Sequence, residues 1–188
     1  MQTWNYIWEC IINLAETTLL VLFLDDKLNR SKNIPEEWAQ LYKILFIVAD
    51  TLRTILMNYF GVSYEFHYLS TLIVFAIFAI MLYEGNNSKK VFFSSTYIAI
   101  VFASDTIAST LPIAVLDKEL ATVLVGGPLR ITATLFYVSC ISSFVFVSHF
   151  IKWKIISMSP VETISFIIVC FIGLFFWTIY IQHIRKVI

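Results

Sequence analysis

Two uninterrupted apolar runs constrain this chain more than anything else in it. Residues 66–83, FHYLSTLIVFAIFAIMLY, and residues 163–182, TISFIIVCFIGLFFWTIYIQ, contain no Asp, Glu, Lys or Arg. A helix needs about 20 mostly apolar residues to cross the hydrocarbon core of a bilayer. A helix also satisfies its own backbone hydrogen bonds there, which an irregular segment does not. The runs are continuous and lack the alternation of outer-membrane strands. Of 188 residues, 59% are hydrophobic, 16% aromatic and only 14% charged. The mean hydropathy is +0.82, and a soluble domain carries about 25% charged residues. Too few polar side chains remain to cover a water-facing fold. The sequence predicts an all-α integral membrane protein.

Applied along the whole chain, the same length criterion gives a bundle of six transmembrane helices with short loops, at 4–24, 40–60, 66–84, 91–116, 130–151 and 162–183. The first, second and fourth carry internal charges. The longest polar stretch is 25–38, whose NIPEEW end reads as a helix start with Asn33 as cap and Pro35 in the first turn. GVSYE at 61–65 and EGNNSKK at 84–90 are tight links, 117–128 is a longer loop with a Gly-Gly-Pro break, and 152–160 is interfacial. MQTWNYIWEC has no basic leader, and Glu9 and Glu16 interrupt the apolar run, so the first segment is expected to stay in the mature protein. The whole chain reads as a single polytopic domain, without internal repeats.

Loops rich in Lys and Arg face the cytoplasm. Lys27, Arg30, Lys32, Lys89, Lys90, Lys152 and Lys154 fall on alternate loops and so on one side, seven residues against four on the other. This predicts an N-terminus outside and a cytoplasmic turn at 84–90; the opposite threading keeps both ends inside. Trp4, Trp8, Trp38 and Trp153 lie near segment ends, as in an interfacial aromatic belt.

An ionisable group at helix depth costs a few kcal/mol on insertion scales and is a functional candidate by default. Glu9, Asn13 and Glu16 share one face of the first segment, and Asp50 and Arg53 are three apart in the second. Asp105 sits among Ser104, Thr106 and Ser109, and Arg130 opens the fifth segment. Glu16, Asp50, Arg53, Asp105 and Arg130 form the candidate polar seam, for a ligand or a change of partners between two states. The alternative is purely architectural: Asp50 pairs with Arg53, Glu16 or Asp105 pairs with Lys43 or Arg130, and the set fixes helix order. Glu9, Lys43 and Arg130 also have the option of snorkelling to the interface.

Catalysis has little to stand on. His67, His149 and His183 are isolated near segment ends, and Cys10, Cys140 and Cys170 lie in apolar runs where free cysteine is a small packing residue. No phosphate loop, zinc-protease motif or nucleophile elbow occurs. The chain is expected to be no enzyme, to need no cofactor or metal, and, with a net charge of zero, to bind no nucleic acid.

An apolar helix ending MLYEG, a short polar turn, KK and then VFFSSTYIAIVFASDTIAS resembles the middle of the membrane sensor domain of GHKL-type sensor histidine kinases. These include receptors for autoinducing peptides in quorum sensing. WECIINLAETTLLVLFLDDKLNRSK is similar to the opening of those sensors, an acid-spotted helix followed by a basic loop. The resemblance runs over most of the chain and rests on hydropathy rhythm and the Tyr-Glu-Gly…Lys-Lys turn. A kinase of that family continues into a dimerisation helix with the phosphoacceptor histidine and an ATP-binding domain, neither of which is in this sequence. The resemblance therefore implies a sensor module of two-component signalling in the cytoplasmic membrane. Its expected partners are the bilayer, an extracellular peptide or small amphiphile held by loops 61–65 and 117–128, and a cytoplasmic signalling partner or second copy. A small six-helix transporter, or the substrate-binding membrane subunit of a vitamin importer, is the competing reading; a scaffold or immunity-type protein is a third.

Overall fold

The computed structural model describes residues 2–116 and 128–150, with Ser159, Val161, Glu162, Ile164, Ser165 and Ile168. All-helical architecture is what it shows. Five helices occur among the described residues: α1 (Gln2–Lys27), α2 (Glu36–Tyr59), α3 (Tyr64–Leu82), α4 (Asn87–Leu116) and α5 (Pro128–Phe150). Three stretches are long and apolar enough to cross a membrane, Ile7–Lys27, Asn87–Thr110 and Leu129–Phe150, and Phe66–Leu82 is a shorter apolar helix. The expected count of six spans is therefore not reached. In α2, Lys43, Asp50 and Arg53 break up the apolar content, and the expected segment 162–183 lies almost wholly outside the described residues.

Local chemistry explains the helix boundaries. α2 begins at Glu36 with Pro35, not Asn33, in the cap position, and no side chain caps it. Proline has no N–H to leave unsatisfied, and Glu36 and Glu37 meet the positive end of the helix dipole instead. Between α2 and α3 the chain reverses at Gly61, whose φ of +64° suits a residue without Cβ. α3 ends at the extended Tyr83, and Gly85 turns the chain with φ of +101°. The Asn86 side chain then accepts the Ser88 N–H at 3.0 Å. This cap starts α4 at Asn87 rather than at 91, so Lys89 and Lys90 lie in its first turn and not in a loop.

The helices form a closed ring in which each packs on the next, α5 returns to α1, and α1 also touches α4 across the middle. Much of the apolar core lies towards one end, where α1 and α3 finish and α2 and α4 begin. Phe23 meets Phe93 and Phe144 at ring-centroid distances of 6.0 and 5.7 Å, and Phe46 stacks on Phe78 at 3.8 Å. Leu20, Leu24, Phe75, Ala79 and Tyr97 fill the space between them. The hydroxyls of α4 stay satisfied inside this packing by bonding back to its own carbonyls, Ser94 to Lys90, Ser95 to Val91 and Thr96 to Phe92, at 2.8–3.0 Å.

The outer surface is apolar. On α2, Leu41, Ile44, Leu45, Val48 and Leu52 are exposed while Lys43, Asp50 and Thr51 are buried. A water-soluble helix has the opposite arrangement. Charge turned inward and aliphatic side chains turned outward suit a lipid surround.

Candidate functional site

Asp50 lies fourteen residues along α2, about 21 Å from its start at 1.5 Å per residue. Arg53 binds its Oδ1 through Nη2 at 2.7 Å and through Nε at 2.8 Å. Thr17 of α1 donates to Asp50 Oδ2 at 3.0 Å. The guanidinium continues into α3, donating to Ser70 Oγ at 2.8 Å and Thr71 Oγ1 at 2.9 Å. Asp50 and Arg53 thus join α1, α2 and α3 through one buried carboxylate and one planar donor. Arg suits this role because its fork bonds several partners in fixed directions.

Glu16 stands beside this network and not within it. Its side chain accepts from the Tyr137 hydroxyl of α5, and Tyr97 of α4 donates to the Glu16 carbonyl at 2.6 Å. Asp105 accepts from Tyr68 at 3.3 Å. Glu16 is within electrostatic reach of Asp50, Asp105 and Arg53. Four of the five candidate residues are therefore brought together in the ring.

Arg130 is not. It pairs with Glu9 near the start of α1, beside a hydrogen bond of 2.8 Å from Trp8 to Thr134. Lys43 pairs with neither Glu16 nor Asp105; it binds Asp25 at 2.8 Å, and Tyr83 donates to the other oxygen of that carboxylate at 2.8 Å. The expected architectural partners of Glu16 and Asp105 are thus replaced by tyrosines. Glu9, Lys43 and Arg130 are paired rather than snorkelling, since each finds an opposite charge on the neighbouring helix at its own height.

Of the basic residues read as setting topology, Lys27 pairs with Asp26 at 2.6 Å and donates to the Ser148 carbonyl. Arg30 reaches Glu36 at 3.7 Å, and Lys89 lies 5.9 Å from the Phe93 ring centroid. Lys90 is buried and donates to the Ile80 carbonyl at 3.3 Å, at the negative end of α3. Lys32 contributes its backbone N–H to Glu84 at 2.7 Å. Lys152 and Lys154 lie outside the described residues, as does loop 117–127.

The turns after α1 and α3 meet at the same end and dock. Arg30 and Tyr83 form an antiparallel bridge, Ser31 N–H bonds Leu82 O at 3.0 Å, and Glu84 N–H bonds Asn29 O at 2.8 Å. His149, at the end of α5, joins them through Asp26 at 2.6 Å. His67 contacts Met57 Sδ at 3.3 Å. Cys10 is exposed rather than packed, and Cys140 is half-buried. Among the described residues no group of three or more His, Cys, Asp or Glu could hold a metal ion. Compared with family models, curated proteins and solved structures, the chain matches none.

Proposed function

We propose that this chain is the membrane-embedded sensor module of a signalling protein, threading the cytoplasmic membrane several times and passing a helix shift to a cytoplasmic partner. The observation that carries this reading is the position of Arg53. It is bound to Asp50 and to two hydroxyls of α3, yet Glu16 is within its electrostatic reach on α1. A guanidinium between two carboxylates on different helices can hold the ring in two arrangements. A ligand moves such an equilibrium only through different affinity for the two. The outward aliphatic face of α2 supports a further crossing beyond the three apolar helices, with its charges facing protein.

The basic turns 27–32 and 84–90 share one end of the bundle. With that end cytoplasmic, the N-terminus is outside. Cysteine placed at position 88 is then shielded from impermeant reagents in intact cells, and cysteine at position 121 is labelled. The resemblance to GHKL-type sensor domains gives the output its form.

Joining the chain to the dimerisation and ATP-binding core of such a kinase tests the function. The Asp50→Asn and Glu16→Gln variants should shift basal autophosphorylation in opposite directions, several-fold each. Equal phosphorylation in all three chains would sink the sensor reading. Accumulation of a labelled solute in proteoliposomes would favour the transporter instead.

A further inference from the structure

Where α2 ends beside the start of α3, several hydrogen-bond donors converge on the sulphur of Met57. Arg53, one turn earlier on α2, points Nη1 at Met57 Sδ at 3.2 Å. His67 of α3 brings Nδ1 to the same atom at 3.3 Å. A thioether has no proton to give, so this contact is a hydrogen bond in the tautomer that carries its proton on Nδ1. Ser70, a turn further along α3, stands 3.5 Å from the sulphur. Its single hydroxyl proton is divided between that sulphur and the His67 carbonyl, which is nearer at 2.8 Å. Three donors from two helices thus meet one weak acceptor.

Such a setting suits a sulphoxide better than a thioether. Oxidation turns methionine from a flexible apolar side chain into a polar one, and the new oxygen is a far stronger acceptor than sulphur. Arg53 Nη1 and the His67 N–H are in place for it, and the Ser70 hydroxyl, already held by Arg53 at 2.8 Å, can turn to it. The guanidinium also keeps a soft metal cation from the thioether and imidazole, because like charges this close repel. Access is open. Met57 is half-buried in the last turn of α2, and Asn58, Tyr59 and Phe60 after it are exposed. In the reaction the sulphur lone pair attacks the terminal oxygen of a hydroperoxide. An S–O bond forms as the O–O bond breaks, and sulphur loses the two electrons that the peroxide gains. The hydroxyl proton passes to the departing oxygen, which leaves as water or an alcohol. Donors aimed at the oxygen where negative charge develops lower the barrier.

We infer that Met57 is a reversible oxidation site, whose sulphoxide is formed by a hydroperoxide and held by Arg53, His67 and Ser70. Dedicated reductases return methionine sulphoxide to methionine. The site stands on the geometry between α2 and α3. Its effect on output rests on the sensor reading: the added oxygen draws Arg53 towards its partners on α2 and α3 rather than towards Glu16 on α1.

The test treats the full chain in lipid nanodiscs with hydrogen peroxide, and mass spectrometry of the digested chain follows the gain of oxygen at Met57 and at Met81. Exposure alone favours Met81, which is 72% exposed. Met57 should nonetheless be oxidised about fivefold faster or more. His67→Phe keeps a ring beside Tyr68 but has no N–H. In that chain Met57 should react about threefold more slowly, with Met81 unchanged. Oxidation of Met57 no faster than that of Met81, or an undiminished rate in His67→Phe, would overturn the inference. The comparison of the two methionines needs no variant, so a failure of His67→Phe to fold leaves it decisive. In the kinase fusion, peroxide should shift autophosphorylation in the same direction as Glu16→Gln, and methionine sulphoxide reductase should reverse the shift. Met57→Leu, which cannot take the oxygen, should abolish it. Fast oxidation of Met57 without any shift would refute the sensor reading and leave the site standing; a fusion that responds to Glu16→Gln and Asp50→Asn while Met57 is never oxidised ahead of Met81 would do the reverse.

Discussion

The two ends of the ring are built differently. At the end where α1 and α3 finish, backbone and side chains are knotted together. The turns dock through the Arg30–Tyr83 bridge, Asp25 is shared by Lys43 and Tyr83, and His149 and Lys27 bring in α5. At the other end, among the described residues, the Glu9–Arg130 pair and the Trp8–Thr134 hydrogen bond connect α1 to α5, and Tyr59, Phe60, Phe66 and Asp105 are exposed. The mid-height network of Asp50 and Arg53 separates the two regions. Among the described residues the first end is thus tied by backbone as well as side chains, and the other, the open end, by side chains alone.

The largest expected effect comes from the boundary between the regions. Asp50→Ala leaves Arg53 buried without its carboxylate, and breaking a buried pair costs about 3–5 kcal/mol. Denaturation of the reconstituted chain in a mixed-micelle titration measures it, and a loss under 1 kcal/mol would show that the network is not a structural boundary. Next comes the knotted end: Lys43→Met removes the ammonium from Asp25, which keeps only Tyr83, at a cost of about 2 kcal/mol. Smallest is the open end. Arg130→Gln exchanges a partly solvated pair for a neutral contact and should cost about 0.5–1 kcal/mol. If Arg130→Gln cost as much as Lys43→Met, the contrast between the ends would disappear.

How much of this was legible in the sequence follows from what each feature depends on. The helices themselves could be read, because apolar runs of this length leave the backbone few other forms in lipid. Asp50 and Arg53 could be paired, because a spacing of three within one helix settles their distance before any packing occurs. Partners across helices could not. Lys43 with Asp25, Glu9 with Arg130 and Glu16 with Tyr137 depend on how far one helix slides along another, and spacing carries no record of that. The sequence places Asp25 in the polar stretch 25–38, whereas it stands in the last turns of α1. The role of Tyr83 is hidden for a similar reason: the sequence places it at the end of the third span, and its partners, Asp25 and Arg30, come from the end of α1 and the turn beyond it. The tyrosines opposite Glu16 and Asp105 carried one available signal. Tyr68, Tyr97 and Tyr137 stand within apolar runs, where a hydroxyl needs a partner.

Hydrogen exchange of individual backbone amides in the reconstituted chain tests the central contrast most directly. Ser31 and Glu84 lie in turns, yet their N–H groups are bonded across to Leu82 and Asn29. The account predicts that both exchange nearly as slowly as the core of α4, while Ser63, in the link between α2 and α3, exchanges orders of magnitude faster. Equally rapid exchange at Ser31, Glu84 and Ser63 would contradict the account, because the two ends of the bundle would then be equally loose.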